Sequence, residues 1–200
     1  MLVMDPAKSQ RSSQVVINKS KFIGLIKTCH DVDDVKKYIS ELWTKAFKDA
    51  SHIVYALRVI STNNQVEASF SDDGEPSGTA GRPILNLLEG RSILNSAVIV
   101  VRYYGGINLG TGGLVKAYSG AAKEVIEKTN FIDYVEFKKY KIYLKYNNLE
   151  SFINLIYRLN GQILERNFEE NINFIFKIPK DKIDQLKLFI APNGLELHDA

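Results

Sequence analysis

Ten of the thirteen glycines in this 200-residue chain lie between Gly74 and Gly120. Glycine enters left-handed and close-approach backbone without steric penalty, so the unusual turns of the fold belong to that stretch. Its two densest runs are "SDDGEPSGTAGRP" (71–83) and "GGINLGTGG" (105–113), and each stands between a strand pattern and a helix pattern. Ahead of the first, "SHIVYALRVI" and "QVEASFSDD" read as strands joined by a turn at Asn63 and Asn64. After it, Ser77 or Thr79 can cap a helix through "RPILNLLEG", with Pro83 in the first turn and Gly90 as the stop. Ahead of the second run, "SAVIVVRYY" is a strongly apolar, β-branched run, the mark of a central strand buried on both faces. Behind it, "LVKAYSGAAKEVIEK" reads as a helix whose small residues allow close packing on a sheet.

The flanks extend the same pattern. Gln14 to Ile17 and Lys21 to Cys29 read as a hairpin turning at "NKS". Asp31 can cap a helix that repeats Val35, Ile39, Leu42, Trp43 and Ala46 at helical spacing. From about Lys138 the texture shifts to lysine, tyrosine and asparagine with few glycines. The order there is strand, helix, strand, strand, helix, strand, the split βαβ or ferredoxin-like arrangement, punctuated by Gly161 and Pro192-Asn193-Gly194. The expectation is an α+β chain of two domains, 1–130 and 136–200, joined through "TNFIDYVEF".

Charge and composition narrow the classes of function. A net charge of +3 permits phosphate-rich partners without a dense basic arm, so no reading of DNA sequence is expected. No apolar run is long enough to span a bilayer, and the N-terminus lacks the pattern of a secretory signal. With Cys29 as the single cysteine, a reducing cytoplasm is the expected compartment.

The two loops carry the chemistry. A glycine-rich turn opening a helix leaves the first N–H groups unpaired and aimed at one spot, where the helix dipole also favours negative charge. Gly105, Gly106, Gly110, Gly112 and Gly113, with Arg102 at the strand end and Lys116 in the first helical turn, make a candidate phosphate or anion cradle. The same glycines also suit a sharp structural turn, and the P-loop pattern fails because its lysine is missing. In the acidic loop, Asp72, Asp73 and Glu75 are candidates for acid–base work or for a hard cation. Their structural alternative is to cap the following helix or pair with Arg102 or Arg58. Tyr104 and His52 are candidate contacts to a base or a partner. His30 and His198 stand alone, no zinc spacing occurs, and no G-x-S-x-G elbow supports a hydrolase triad. No cofactor is expected.

"SHIVYALRV", "SDDGEPSGTAGRPILNLLEG" and "AVIVVRYYGGINLGTGGLVKAYSGAA", in that order and with the leading "SKFIG", closely resemble the bacterial YigZ proteins and the conserved domain of the eukaryotic IMPACT proteins. The resemblance covers residues 20 to about 128. It implies that the first domain is similar to the second domain of ribosomal protein S5, with helices on one side of a sheet. It also implies a ferredoxin-like second domain similar to one in translation elongation factor G. Eukaryotic members of the family restrain a translation-control kinase by competing for its activator, through a chain that carries a further domain absent from this sequence. The resemblance therefore implies a non-catalytic regulatory or binding role linked to translation, with RNA, a ribosome-associated component or a regulatory protein as partner. The alternative is a nucleotide- or metal-binding enzyme that uses the Asp72/Asp73/Glu75 loop and the Gly105–Gly113 cradle.

Overall fold

The computed structural model describes residues 1–4, 11–61, 63–168 and 172–200, in two compact units, Met1–Tyr134 and Val135–Ala200. The N-terminal unit runs β1 (Leu2–Met4), β2 (Arg11–Ile17), β3 (Ser20–Thr28), α1 (Val32–Glu41), β4 (His52–Ile60), β5 (Val66–Ser71), α2 (Gly81–Gly90), β6 (Ser96–Tyr103), α3 (Gly110–Glu127) and β7 (Phe131–Asp133). Strands β2-β3-β6-β4-β5 form one sheet in that order, antiparallel throughout.

β6 sits at the centre because it is apolar on both sides. Val98 and Val100 pack with Ile84 and Leu88 of α2 and Ala117 and Ala121 of α3, while Ala97, Ile99 and Val101 join a second cluster with Val35 and Leu42. Helices thus cover both faces of the sheet, where the family resemblance implied one. The apolar stripe of α1 accounts for the difference, since it must bury itself and β6 and β4 offer a second apolar face. Asp31 caps α1, its Oδ1 accepting from Asp34 N at 2.7 Å, and the helix passes into a π-helical turn, Leu42–Ala46.

Close approach places α3. A Cβ at Gly24 of β3 would lie 2.7 Å from the Ala121 carbonyl oxygen, so glycine there and alanines on the helix let the two backbones meet. Within the segment "TNFIDYVEF" lies β7, which pairs antiparallel with β1.

The C-terminal unit runs β8 (Phe137–Leu144), α4 (Leu149–Arg158), β9 (Gln162–Phe168), β10 (Ile172–Pro179), α5 (Ile183–Ile190) and β11 (Leu197–Asp199). The last two positions of the strand expected at "QILERNFEE" lie outside the described residues. Its sheet has the order β11-β8-β10-β9, antiparallel throughout. Ile142, Leu144, Phe174 and Phe176 pack on Phe152 and Ile156 of α4 and Leu186 and Ile190 of α5. Alternation along β8 and β10 thus puts both helices of this unit, among the described residues, on one face of its sheet.

Candidate functional site

Sheet register builds the floor of a cleft in the N-terminal unit. His52 of β4 and Phe22 of β3 both pair with Arg102 of β6, so the three side chains stand in one row on the face that α3 covers. α3 begins immediately beyond that row. The cleft holds about 500 Å³ and is lined by His52, Glu75, Pro76, Arg102, Tyr104, Asn108, Leu109, Gly110, Thr111 and Leu114, a size in the range of small-molecule sites.

Glu75 organises the cleft wall from a buried position. Its Oε1 accepts from Arg102 Nη1 at 2.5 Å and from the Tyr118 hydroxyl at 2.7 Å. Tyr118 stands on α3 with its ring edge-on to Phe22 at 5.2 Å, so one carboxylate ties loop, sheet and helix together. Burial and the bond to Glu75 push the Tyr118 phenol well above its ordinary pKa, because the phenolate would be both desolvated and beside a carboxylate. Arg102 Nη2 reaches Ser20 Oγ at 3.5 Å, and its Nε is buried without a partner among the described residues. The guanidinium also lies 5.2 Å from the Tyr104 ring, which is half exposed at the rim and whose hydroxyl bonds Asn108 Oδ1 at 3.0 Å.

His52 is held in one tautomer. Its Nδ1 stands 2.7 Å from the Asp73 carbonyl oxygen; a carbonyl only accepts, so Nδ1 carries hydrogen and Nε2 is the free nitrogen. That Nε2 is 3.8 Å from Glu75 Oε1. Asp73 has φ +46, and its Oδ2 accepts from Ile53 N at 2.6 Å. Asp72 acts on the other side: Oδ1 accepts from Ala80 N and Gly81 N, and Oδ2 from Gly78 N. It therefore caps α2 from a distance, where sequence reading expected Ser77 or Thr79. Thr79 Oγ1 instead donates to the Pro76 carbonyl at 2.6 Å.

The three carboxylates of the loop point apart, and no group of three or more His, Cys, Asp or Glu side chains among the described residues is arranged to hold a metal ion. Arg58 pairs with no carboxylate of this loop; its Nη1 donates to the carbonyls of Leu88 and Ile93.

The glycine loop divides by role. A Cβ at Gly105 would fall 2.1 Å from the Lys19 carbonyl carbon, and Gly105 N donates to Ser20 Oγ at 3.1 Å, so this glycine packs against the β2–β3 turn. Gly106 and Gly110 take positive φ, and Gly112 has open space around it. α3 starts without a side-chain cap, which leaves its first-turn amides to solvent or a ligand. Lys116 is exposed and is not among the lining residues. Of the sequence candidates, His52, Glu75, Arg102, Tyr104 and Gly110 meet in the cleft, with Gly112 and Gly113 in the helix turn behind it. Sequence reading missed Tyr118, Asn108 and Ser20. Tyr118 had one usable signal: a hydroxyl on the small-residue face of a buried helix needs a partner.

The family model described as the Impact N-terminal domain matches residues 18–126. An IMPACT family member of Haemophilus influenzae is 33% identical over 168 residues, covering 84% of this chain and 81% of its own. The IMPACT family member YigZ of Escherichia coli is 31% identical over 175 residues, covering 88% and 85%. Among solved structures, the crystal structure of a hypothetical protein covers 100% of this chain and 96% of its own, at 28% identity and TM-score 0.69.

Proposed function

The chain belongs to the IMPACT family, and from that premise we propose that it is a cytoplasmic regulatory binding protein linked to translation, whose N-terminal unit takes a phosphate-bearing nucleotide of RNA in the cleft. The observation that carries this reading is the meeting of both glycine-bearing loops at an uncapped helix start, beside a buried arginine with an unpartnered Nε. First-turn amides of α3 and the helix dipole receive the phosphate. Tyr104 at the rim offers its ring to the base, a contact that tolerates any sequence. Because Glu75 neutralises Arg102, attraction comes from the helix start, and Arg102 serves to position. Within the same proposal the N-terminal unit is an S5-like domain and the C-terminal unit a ferredoxin-like domain, the latter supported by its element order and by a sheet with its first and third strands central.

A second reading rests on His52. With Nδ1–H donating to the Asp73 carbonyl and Nε2 3.8 Å from Glu75 Oε1, the pair fits acid–base chemistry on a bound phosphoester. Asp72 and Asp73 are committed to backbone amides and take no part in it.

Thermal unfolding with added nucleoside monophosphates and short RNA tests the first reading, since a ligand at a hundred times its Kd stabilises by about 2.7 kcal/mol. Stabilisation that disappears in Tyr104→Ala supports it; no stabilisation by any nucleotide or RNA contradicts it. Turnover of a nucleotide ester that disappears in His52→Gln moves the assignment to the second.

A further inference from the structure

The open face of the C-terminal sheet carries a second pattern that the cleft does not use. Register sets Phe137, Lys139, Lys141 and Tyr143 of β8 against Pro179, Lys177, Ile175 and Asn173 of β10, with His198 of β11 beside Lys141. All of these project opposite to the buried Tyr140, Ile142 and Leu144, so they share the face turned away from α4 and α5. Tyr143 is 49% and Phe137 36% exposed. Lys141 lies over the Tyr143 ring at 4.9 Å and Lys177 over Phe137 at 5.0 Å, and Tyr143 meets His198 edge-on at 6.0 Å. At the Tyr143 end of the row, Asn173 Oδ1 is buried with no hydrogen-bond partner among the described residues.

We infer that this sheet face is a second binding surface, and that its occupant is single-stranded RNA. Charge complementarity selects a polyanion: among the described residues, Lys139, Lys141 and Lys177 share the paired rows with one acid, Glu165 of β9 opposite Ile175. The interleaved rings select a polyanion with flat bases, because each ammonium now resting on a ring can move to a phosphate as a base takes the ring face. From Phe137 to Tyr143 the strand spans roughly 20 Å, room for the two or three stacked bases that an open four-stranded sheet presents to RNA. Asn173 supplies an amide next to the Tyr143 position for the edge of a stacked base. The choice of RNA over DNA rests on the translation-linked reading; the surface itself is independent of the cleft.

The test is fluorescence anisotropy of the full chain with a 12-mer of uridine that carries no terminal phosphate, alongside a nucleoside monophosphate titration of the cleft. Tyr143→Ala should weaken 12-mer binding about 5- to 150-fold, the range for one stacked base, while Tyr143→Phe keeps it. K139A/K141A/K177A should flatten the salt dependence by roughly 0.7 for each phosphate no longer neutralised. Neither change should alter monophosphate binding, which Tyr104→Ala should weaken over the same range. Wild type that fails to bind the 12-mer overturns the inference, as does 12-mer binding that disappears only in Tyr104→Ala. Equal affinity for the matching DNA overturns the assignment to RNA. Equal competition by a polyglutamate peptide, with Tyr143→Ala silent, would show a charge-reading protein surface instead. Failure of monophosphate to bind would sink the cleft reading and leave this one standing.

Discussion

In the loop of residues 71–83 every carboxylate is spoken for: Asp72 by three amides of the α2 start, Asp73 by Ile53 N, Glu75 by Arg102 and Tyr118. In the loop of residues 105–113 one glycine is wedged against the Lys19 backbone, but the start of α3 has no side-chain cap and Gly112 nothing near it. The two runs share a composition rich in glycine and differ in what they leave free. Acidic side chains provide many acceptors, and in a fold these are consumed by nearby donors; a helix start provides donors that only a cap or a ligand can satisfy. The acidic loop is therefore the frame of the cleft and the glycine loop its mouth.

Changes in the frame should cost stability, and changes in the mouth should cost binding. Glu75→Ala leaves Arg102 buried without its counter-charge and should destabilise by about 3–5 kcal/mol, read by urea unfolding; a loss under about 1 kcal/mol would break the distinction. Gly105→Ala, which meets backbone rather than a movable side chain, should cost about 3 kcal/mol. Gly112→Ala in the same loop should be neutral or stabilising by up to about 1 kcal/mol, so equal costs at the two glycines would refute their separate roles. Asp72→Ala should lose about 1–2 kcal/mol as a helix cap, and hydrogen exchange should quicken first at Gly78, Ala80 and Gly81.

Alkaline pH gives a smaller and more graded effect. The Tyr118 phenol is raised above its ordinary value near 10, and burial, with Asp34 nearby, pushes the Cys29 thiol up to about 12 from 9.0. For a group raised in the folded state the contribution is complete below the unfolded value and is lost as pH climbs from there towards the folded one. Stability should hold to about pH 9, then fall by about 1.4 kcal/mol per pH unit per group, first through Cys29 and above pH 10 through Tyr118. Cys29→Ala should remove the earlier limb and Tyr118→Phe the later one; a flat profile in wild type would contradict the buried states of both.

Much of the strand framework is legible in the sequence because it rests on local alternation, and β6 announces its burial by having no polar face. The cap of α2 is not, since Asp72 acts on amides eight and nine residues away and outcompetes the nearer Ser77 and Thr79. Nor are the helices on both faces, which depend on how the α1 stripe finds partners far away in sequence. His52, Arg102 and Glu75 can each be picked out as unusual, but only register brings them together. Lys116 illustrates the converse: in the first turn of a candidate cradle by sequence, it is carried by helical phase to the exposed side.

The most direct measurement is a ¹H–¹⁵N correlation titration of the full chain with a nucleoside monophosphate. The account predicts saturable shifts centred on the amides of Gly110, Thr111, Gly112 and Gly113, with Tyr104 and His52 following at the same Kd and Lys116 little changed. A saturable response that leaves those amides still, or no response at millimolar ligand, would contradict the claim that the start of α3 is the mouth of a phosphate site.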